Sequence, residues 1–480
     1  MSTTLQKKRG IVWSFAESLL TQLSSFVISL FLARILTPTE YGTIGVCLIF
    51  INFINIFIEA GVINALIRKT DSNEVDYSTA FWFNLTTSIL LYLVLFFSAP
   101  AISRYFESEI LVWSLRVLGL SIIINAIGLV QNSILLRHYR MRQICLIALF
   151  SQITAGLVAL LFAFKGFGVW ALVVLFIVSA TIKNGCYWVV GKWRPRFLFD
   201  RDSARYLWAF GSRMIGTRII NTFYTELYSF IIGKHLGLKD LGYYSNANTI
   251  SQKPAGILNS TIQKMAVPIF SEYQNDRQLL RTQFVQAVHV TAFTAISVMA
   301  YLAVVGHPLI LSIWTEKWAG AVMPFQILCF VWAFDPITTL NLNLLQATNH
   351  TGLIFKLEVV KKPIGFLILL LSLPFGFRGI VLGQAVYAAI AVTINTYSAQ
   401  KVLAYSMLRQ LCDVFKYVLL NIPGLTAAFL IITSCRSAVA GLILSFLADL
   451  FCIVVISALF KTPAYRQILQ TITNGKYGKQ

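Results

Sequence analysis

This chain is poor in charge. Only 12% of its 480 residues are Asp, Glu, Lys or Arg, against 57% that are hydrophobic. A water-facing surface needs about twice that density of charge, so a string of soluble domains is excluded despite the ample length. Acid is scarcer still, with 19 Asp and Glu against 39 Lys and Arg, a formal net charge of +20. Cysteine is sparse and unpatterned. The seven copies (47, 145, 186, 329, 412, 435, 452) include no Cys-x-x-Cys pair and sit mostly in apolar runs, as small buried hydrophobes do. The five histidines (138, 235, 289, 307, 350) have no metal-ligand spacing, and there is no Gly-x-x-x-x-Gly-Lys-Ser/Thr loop. Neither a metal centre, a cofactor nor ATP hydrolysis is therefore expected of this chain.

What the chain has in abundance is long apolar runs, and its mean hydropathy of +0.73 places most of it in lipid. Fourteen runs of about 20 residues are found at 11–33, 41–66, 80–103, 109–135, 143–164, 168–190, 207–233, 242–268, 284–305, 319–345, 354–374, 378–400, 413–433 and 437–460. Lys7-Lys8-Arg9 precedes the first run, which has no small-residue cleavage site and reads as a spanning helix rather than a signal peptide. With the N-terminus inside, alternate connections hold about 26 Lys and Arg, including Lys356, Lys361 and Lys362, against about 8 on the other side. That bias accounts for the excess of base as topology rather than as a nucleic-acid surface, and puts both termini in the cytoplasm. An all-α polytopic membrane protein of about fourteen helices is expected.

The chain also echoes itself. Ser29–Gly45 (SLFLARILTPTEYGTIG) recurs about 200 residues on as Ser229–Ser245 (SFIIGKHLGLKDLGYYS), aligning Arg34 with Lys234, Glu40 with Asp240 and Gly42 with Gly242. Gly166-Phe167-Gly168 is echoed by Gly376-Phe377-Arg378-Gly379. The echoes are six helices apart, so the copies share orientation and are related by a pseudo-twofold axis along the membrane normal. The organisation expected is a six-helix lobe over 1–200, a second over 201–402, and two further helices with a basic cytoplasmic tail over 403–480.

Polar residues inside the runs fall on repeat-related helices. The first carries Glu17 in a stripe of Ser, Thr and Gln, and the second carries Asn52, Asn55 and Glu59. The seventh carries Arg213, Arg218 and Glu226, and the eighth Lys253 and Lys264 among Asn, Gln and Ser. Charge at mid-membrane costs about 2.5–3.5 kcal/mol per residue on insertion scales, which is tolerable where these faces line a watery cavity. Two other readings stand beside it: helix–helix glue through neutral side chains, and neutralisation of Arg218 and Glu226 by each other or by a neighbour. Arginine fits phosphate oxygens bidentately, so Arg213, Arg218, Lys253 and Lys264 are the candidate binders of a phosphate-bearing substrate. Glu17, Glu59 and Glu226 are the candidates for a coupling H+ or Na+, with intramembrane salt bridging the competing account. Asp335-Pro336 marks a helix break. Asp200-Arg201-Asp202 has the Asp-x-Asp form of a metal–sugar-nucleotide site but lies in a short basic connection with no nucleotide-binding fold around it.

The stretches ARILTPTEYGTIG (33–45) and GFGVWALV (166–173), with fourteen helices in two repeats, resemble the Wzx-type polysaccharide flippases. These belong to the superfamily of multidrug, oligosaccharidyl-lipid and polysaccharide exporters. The resemblance implies a two-lobed bundle in the bacterial inner membrane that moves an undecaprenyl-pyrophosphate-linked oligosaccharide between leaflets by alternating access, driven by an ion gradient. It implies membrane lipids, and candidate polymerase and chain-length proteins, as partners. Its matched residues Arg34, Pro38, Glu40 and Gly42 lie at the turn between the first two helices and are assigned to structure or gating. A drug/cation antiporter of the same superfamily is the first alternative, disfavoured by cationic seventh and eighth helices. A membrane-embedded glycosyltransferase or polymerase is the second, disfavoured by the lack of any sizeable loop.

Overall fold

The computed structural model describes residues 2–68, 73–138, 140–435 and 437–467. They form helices almost throughout, with no strand among the described residues. In chain order the helices are α1 (Ser2–Ile35), α2 (Pro38–Arg68), α3 (Glu74–Tyr105), α4 (Ile110–Arg137), α5 (Met141–Phe164), α6 (Val169–Gly191), α7 (Arg201–His235) and α8 (Leu238–Glu272). There follow α9 (Arg277–Trp314), α10 (Val322–Ala333), α11 (Asp335–Ala347), α12 (Thr351–Ser372), α13 (Gly376–Leu403), α14 (Met407–Ser434) and α15 (Ala438–Leu459).

Each of the fourteen apolar runs falls on a helix, with α10 and α11 sharing the tenth. Among the described residues, ten helical stretches are long and apolar enough to cross a membrane, one of them, Thr351–Leu403, holding both α12 and α13. α7 and α8 are not among the ten, because their polar faces lower the average. The apolar part of α1, Leu19–Ile35, is short. The break between α10 and α11 falls at Asp335-Pro336. Pro336 sits in the first turn of α11, where a missing N–H leaves no helical bond unmade.

Two compact units divide the chain, Met1–Ser245 and Asn246–Gln480. In the first, α3 packs on α4, α5 on α6 and on α1, α4 on α6, and α7 along α2. In the second, α14 packs on α15 and α9, α10 on α9, and α13 on α10, α11 and α12. The lobe boundaries at 200/201 and 402/403 describe the sequence repeat rather than this grouping by contact.

The longest connection, 192–200, is strapped along the start of α3. Trp82 Nε1 donates to Arg196 O at 2.9 Å, Arg196 N to Ser78 Oγ at 3.2 Å and Asp200 N to Thr79 Oγ1 at 3.0 Å. Phe197 stacks on Trp82, and Arg196 pairs with Glu74 at 2.9 Å. Asp200 is the N-cap of α7: its Oδ2 accepts from Ser203 N at 2.7 Å, and that backbone bond holds its carboxyl below the usual carboxylate range. The Asp-x-Asp pattern is thus a helix start, and the described residues hold no metal-ligating cluster. Ser203 Oγ in turn donates to buried Asp76 Oδ1 at 2.6 Å. Ser203→Ala removes one donor from that carboxylate. A loss of about 1–3 kcal/mol is expected, read as a lower melting temperature in detergent; a melting curve superposable on wild type would contradict it.

Candidate functional site

The repeated turn organises the first unit. Thr37 caps α2 through a reciprocal pair: Thr37 N donates to Glu40 Oε2 at 2.6 Å and Glu40 N to Thr37 Oγ1 at 3.4 Å. Pro38 occupies the first helical position, where its fixed φ suits the start of a helix. Gly42 lies against the equivalent turn of α8. A Cβ on Gly42 would stand 1.7 Å from Leu238 O, and one on Gly242 would stand 1.8 Å from Pro38 O. One turn further on, a Cβ on Gly45 would meet Ser245 Oγ at 3.0 Å. The two copies of the motif therefore cross each other glycine to glycine, in a reciprocal contact that no larger residue permits. The second stretch that carries the resemblance reaches the same place: Gly168, at φ +56, leaves room for Glu40 Oε1, which a Cβ there would approach to 2.4 Å.

Arg34 ends α1, exposed and in the last turn, where a cation complements the carbonyl end of the helix. Its repeat partner Lys234 clamps the end of α3. Lys234 Nζ donates to Tyr105 O at 2.7 Å, pairs with Glu107 at 3.2 Å and lies 4.7 Å from the Tyr105 ring centroid.

Along α7, Asn221 and Thr225 are exposed, and Arg218 and Glu226 half-buried. Glu226 Oε1 accepts from Asn52 Nδ2 on α2 at 2.9 Å, so the expected polar residues of the second and seventh helices do meet. Arg218 forms no ion pair with Glu226 among the described residues. The side chains of Glu17, Glu59 and Arg213 lie outside the described residues. Lys253, half-buried, and Lys264, exposed, are on α8 within the second unit. Helix α8 also spends polar residues on packing. Asn248 Oδ1 accepts from Trp332 Nε1 at 3.0 Å on α10, and Asn259 Nδ2 donates to Asp335 Oδ2 on α11.

A second polar centre gathers Glu358 and Asp335, intramembrane charges to which the sequence assigns no role, around a lysine. Lys361, counted there as a cytoplasmic loop residue, sits inside α12 with 4% of its surface exposed. Its Nζ bonds Glu358 Oε1 at 2.5 Å and Asn395 Oδ1 of α13 at 3.0 Å. Lys362 adds a longer contact to Glu358 at 3.7 Å, and Lys361 also acts electrostatically on Asp335. Asn341 of α11 accepts from Ser398 of α13 at 3.2 Å beside it. The signal was present as Glu358, Lys361 and Lys362 at helical spacing in a run long enough to be a span, but the positive-inside count claimed those lysines first.

This arrangement of helices has known counterparts. A lipid II flippase, MurJ, in its inward closed conformation matches 96% of this chain and 99% of its own, with TM-score 0.78 and 15% identity. An inward-facing multidrug resistance MATE family transporter of the MOP superfamily matches 82% and 99%, with TM-score 0.62 and 14% identity. The chain shares the fold of these two proteins and is a multi-pass membrane protein. Residues 31–323, well over half of the chain, match the family described as polysaccharide biosynthesis protein, and the chain belongs to that family. Curated relatives agree. They include the teichuronic acid biosynthesis protein TuaB of Bacillus subtilis (strain 168), 26% identical over 74% of both chains. The succinoglycan biosynthesis transport protein ExoT of Rhizobium meliloti (strain 1021) is 28% identical over 67% of this chain and 66% of its own. The lipopolysaccharide biosynthesis protein WzxC of Escherichia coli (strain K12) is 22% identical over 80% and 77%. The resemblance carried by residues 33–45 and 166–173 is borne out by the family match and by these relatives.

Proposed function

We propose that this protein flips a lipid-linked oligosaccharide, carried on undecaprenyl pyrophosphate, from the cytoplasmic to the periplasmic leaflet of a bacterial inner membrane, with both termini cytoplasmic. The observation that carries the reading is the polar face of α7, half-buried to exposed in its own unit and joined to α2 by Asn52 and Glu226, in a chain of the polysaccharide biosynthesis family. A flippase must give a sugar-pyrophosphate headgroup a wet, hydrogen-bonding route while the polyprenyl tail stays in hydrocarbon. Arg213 and Arg218, helped by Lys253 and Lys264, receive the pyrophosphate, and the amides and hydroxyls beside them receive sugar hydroxyls. Alternating access of the two repeat lobes, 1–200 and 201–402, exposes the headgroup to each leaflet in turn. An H+ or Na+ gradient drives the cycle, with Glu17, Glu59 and Glu226 as coupling candidates, and polymerase and chain-length proteins take up the product. The crossing at Gly42 and Gly242 serves as the gate.

The test is the double variant Arg213→Ala, Arg218→Ala in a strain lacking its own flippase. Surface polysaccharide is expected to vanish while the protein stays in the membrane at wild-type amounts. Normal polysaccharide from the double variant would sink the pyrophosphate assignment. Lipophilic cations as transported substrates would instead favour the drug antiporter.

A further inference from the structure

Helix α15 is the most apolar of the ten candidate spans, yet at its midpoint it carries Asp449, its one charged residue. Asp449 is buried, at 4% exposure, and faces α14 along the buried stripe Gly441, Ser445, Asp449, Ile453, Ser457. Helix α14 answers with Tyr417, Asn421, Gly424 and Ala428. Gly424 makes the approach possible, since a Cβ there would stand 2.5 Å from Asp449 Oδ1. Asn421, one turn away on the same face and wholly buried, donates its amide to Tyr417 O at 2.6 Å, which directs its oxygen elsewhere.

Two buried acceptors are thereby left without donors: Asp449 Oδ1 and Asn421 Oδ1. The third wall is α9, whose Tyr301 OH donates to Leu442 O at 3.0 Å and lies 3.1 Å from Ser445 Oγ. No Lys, Arg or His forms an ion pair with Asp449 among the described residues. The charged and titratable groups of the packed helices lie elsewhere or are neutral. On α14 they are Arg409, Cys412, Asp413, Lys416 and Tyr417, all in the first three turns. On α9 they are Arg277, Arg281, His289, Tyr301 and His307, of which His289 is bonded to Tyr417 at 3.0 Å. Cys452 is the other titratable group on α15. Tyr301 and Asp449 interact electrostatically.

A carboxylate oxygen and an amide oxygen on facing buried stripes in hydrocarbon, each without a donor, favour a positive species beside them. The donor set is oxygen alone (carboxylate, amide, hydroxyl, phenol), which suits a proton or a hard cation and offers nothing to a soft metal. We propose that Asp449, with Asn421 and Ser445, binds a monovalent cation, H+ or Na+, in the interface of α9, α14 and α15, and that this site couples ion entry to transport. The coupling rests on the flippase reading above; the binding site does not. Helices α14 and α15 stand outside the two six-helix repeats, so the site adds an ion-responsive element to the repeat machinery.

Infrared difference spectroscopy on the full-length protein in nanodiscs tests the site. In wild type, a protonated-carboxyl carbonyl band titrates with pH at constant salt, or a carboxylate band shifts with added NaCl at constant pH. The first outcome assigns H+ and the second Na+. Asp449→Asn, isosteric and uncharged, is expected to remove the responding band. Gly424→Ala, which keeps the carboxyl but pushes it from its place, is expected to shift the midpoint of the same response. Spectra unchanged in both variants under both titrations would overturn the site. In proteoliposomes, Asp449→Asn is expected to abolish the acceleration of flipping by an imposed ion gradient, and a wild-type gradient response would overturn the coupling. Absence of flipping by wild-type protein would refute the flippase reading while leaving the spectroscopic site intact.

Discussion

Replacing Gly42 or Gly242 by leucine is expected to abolish surface polysaccharide, the largest effect of any single substitution considered. At Gly42 the first added carbon falls 1.7 Å from a carbonyl oxygen, and at Gly242 1.8 Å from another. Both neighbours are backbone atoms on helix starts, so no side-chain rotation relieves the overlap. Overpacking of this kind costs about 3 kcal/mol or more, enough to shift a two-state equilibrium against the crossed form by about a hundredfold. The amount of protein in the membrane separates the two roles for the crossing. A gate held permanently apart leaves a folded, inserted and inactive protein; a purely architectural contact leaves little protein at all. Wild-type polysaccharide from either variant would show that the crossing is dispensable. Gly45→Ala, where the neighbour is the Ser245 hydroxyl at 3.0 Å, is expected to be milder, because a side chain can rotate away.

The second large effect is expected at Lys361. Lys361→Met removes the cation from a buried centre in which Glu358 and the Asn395 carbonyl are its direct partners. Breaking a fully buried pair from one side costs about 3–5 kcal/mol; the loss here is expected to be smaller, because Glu358 is 30% exposed and keeps Lys362 at 3.7 Å. The melting temperature in detergent should fall accordingly. Adding Glu358→Gln removes the uncompensated charge and is expected to recover most of the loss. The cycle of single and double variants therefore distinguishes a paired centre from two independent residues. A single variant within about 0.5 kcal/mol of wild type would place Lys361 among ordinary surface residues.

Much of the fold was legible because a membrane reads sequence locally. Hydrocarbon leaves the backbone no partner but itself, so a run of about 20 apolar residues is already a helix of known length. Hence 143–164 anticipates α5 to within two residues and 437–460 anticipates α15 to within one. The turn between the first two helices was equally plain, since Glu40 and Gly42 lie in a stretch that recurs about 200 residues on with the same spacing. The seventh and eighth runs stood out for the opposite reason: their polar residues are too many for lipid, and neither helix is among the ten apolar spans of the described residues.

The pairing of those polar residues was not legible. A glutamate on α7 could be matched on paper with an arginine two turns away, whereas the structure matches it with Asn52, 174 positions distant. Lys361 counted as a topology marker until α13 closed over it. Asp449 stands alone in 437–460 for any reader, yet what makes it a site is Gly424, a gap in a different helix. The sequence by itself determined that this is a many-helix membrane protein with repeated halves and basic connections, because those properties are sums over neighbours along the chain. Only the tertiary structure decided which glycines cross, which charges are satisfied and which oxygens are left wanting a cation, because each depends on atoms that the chain brings together from far apart.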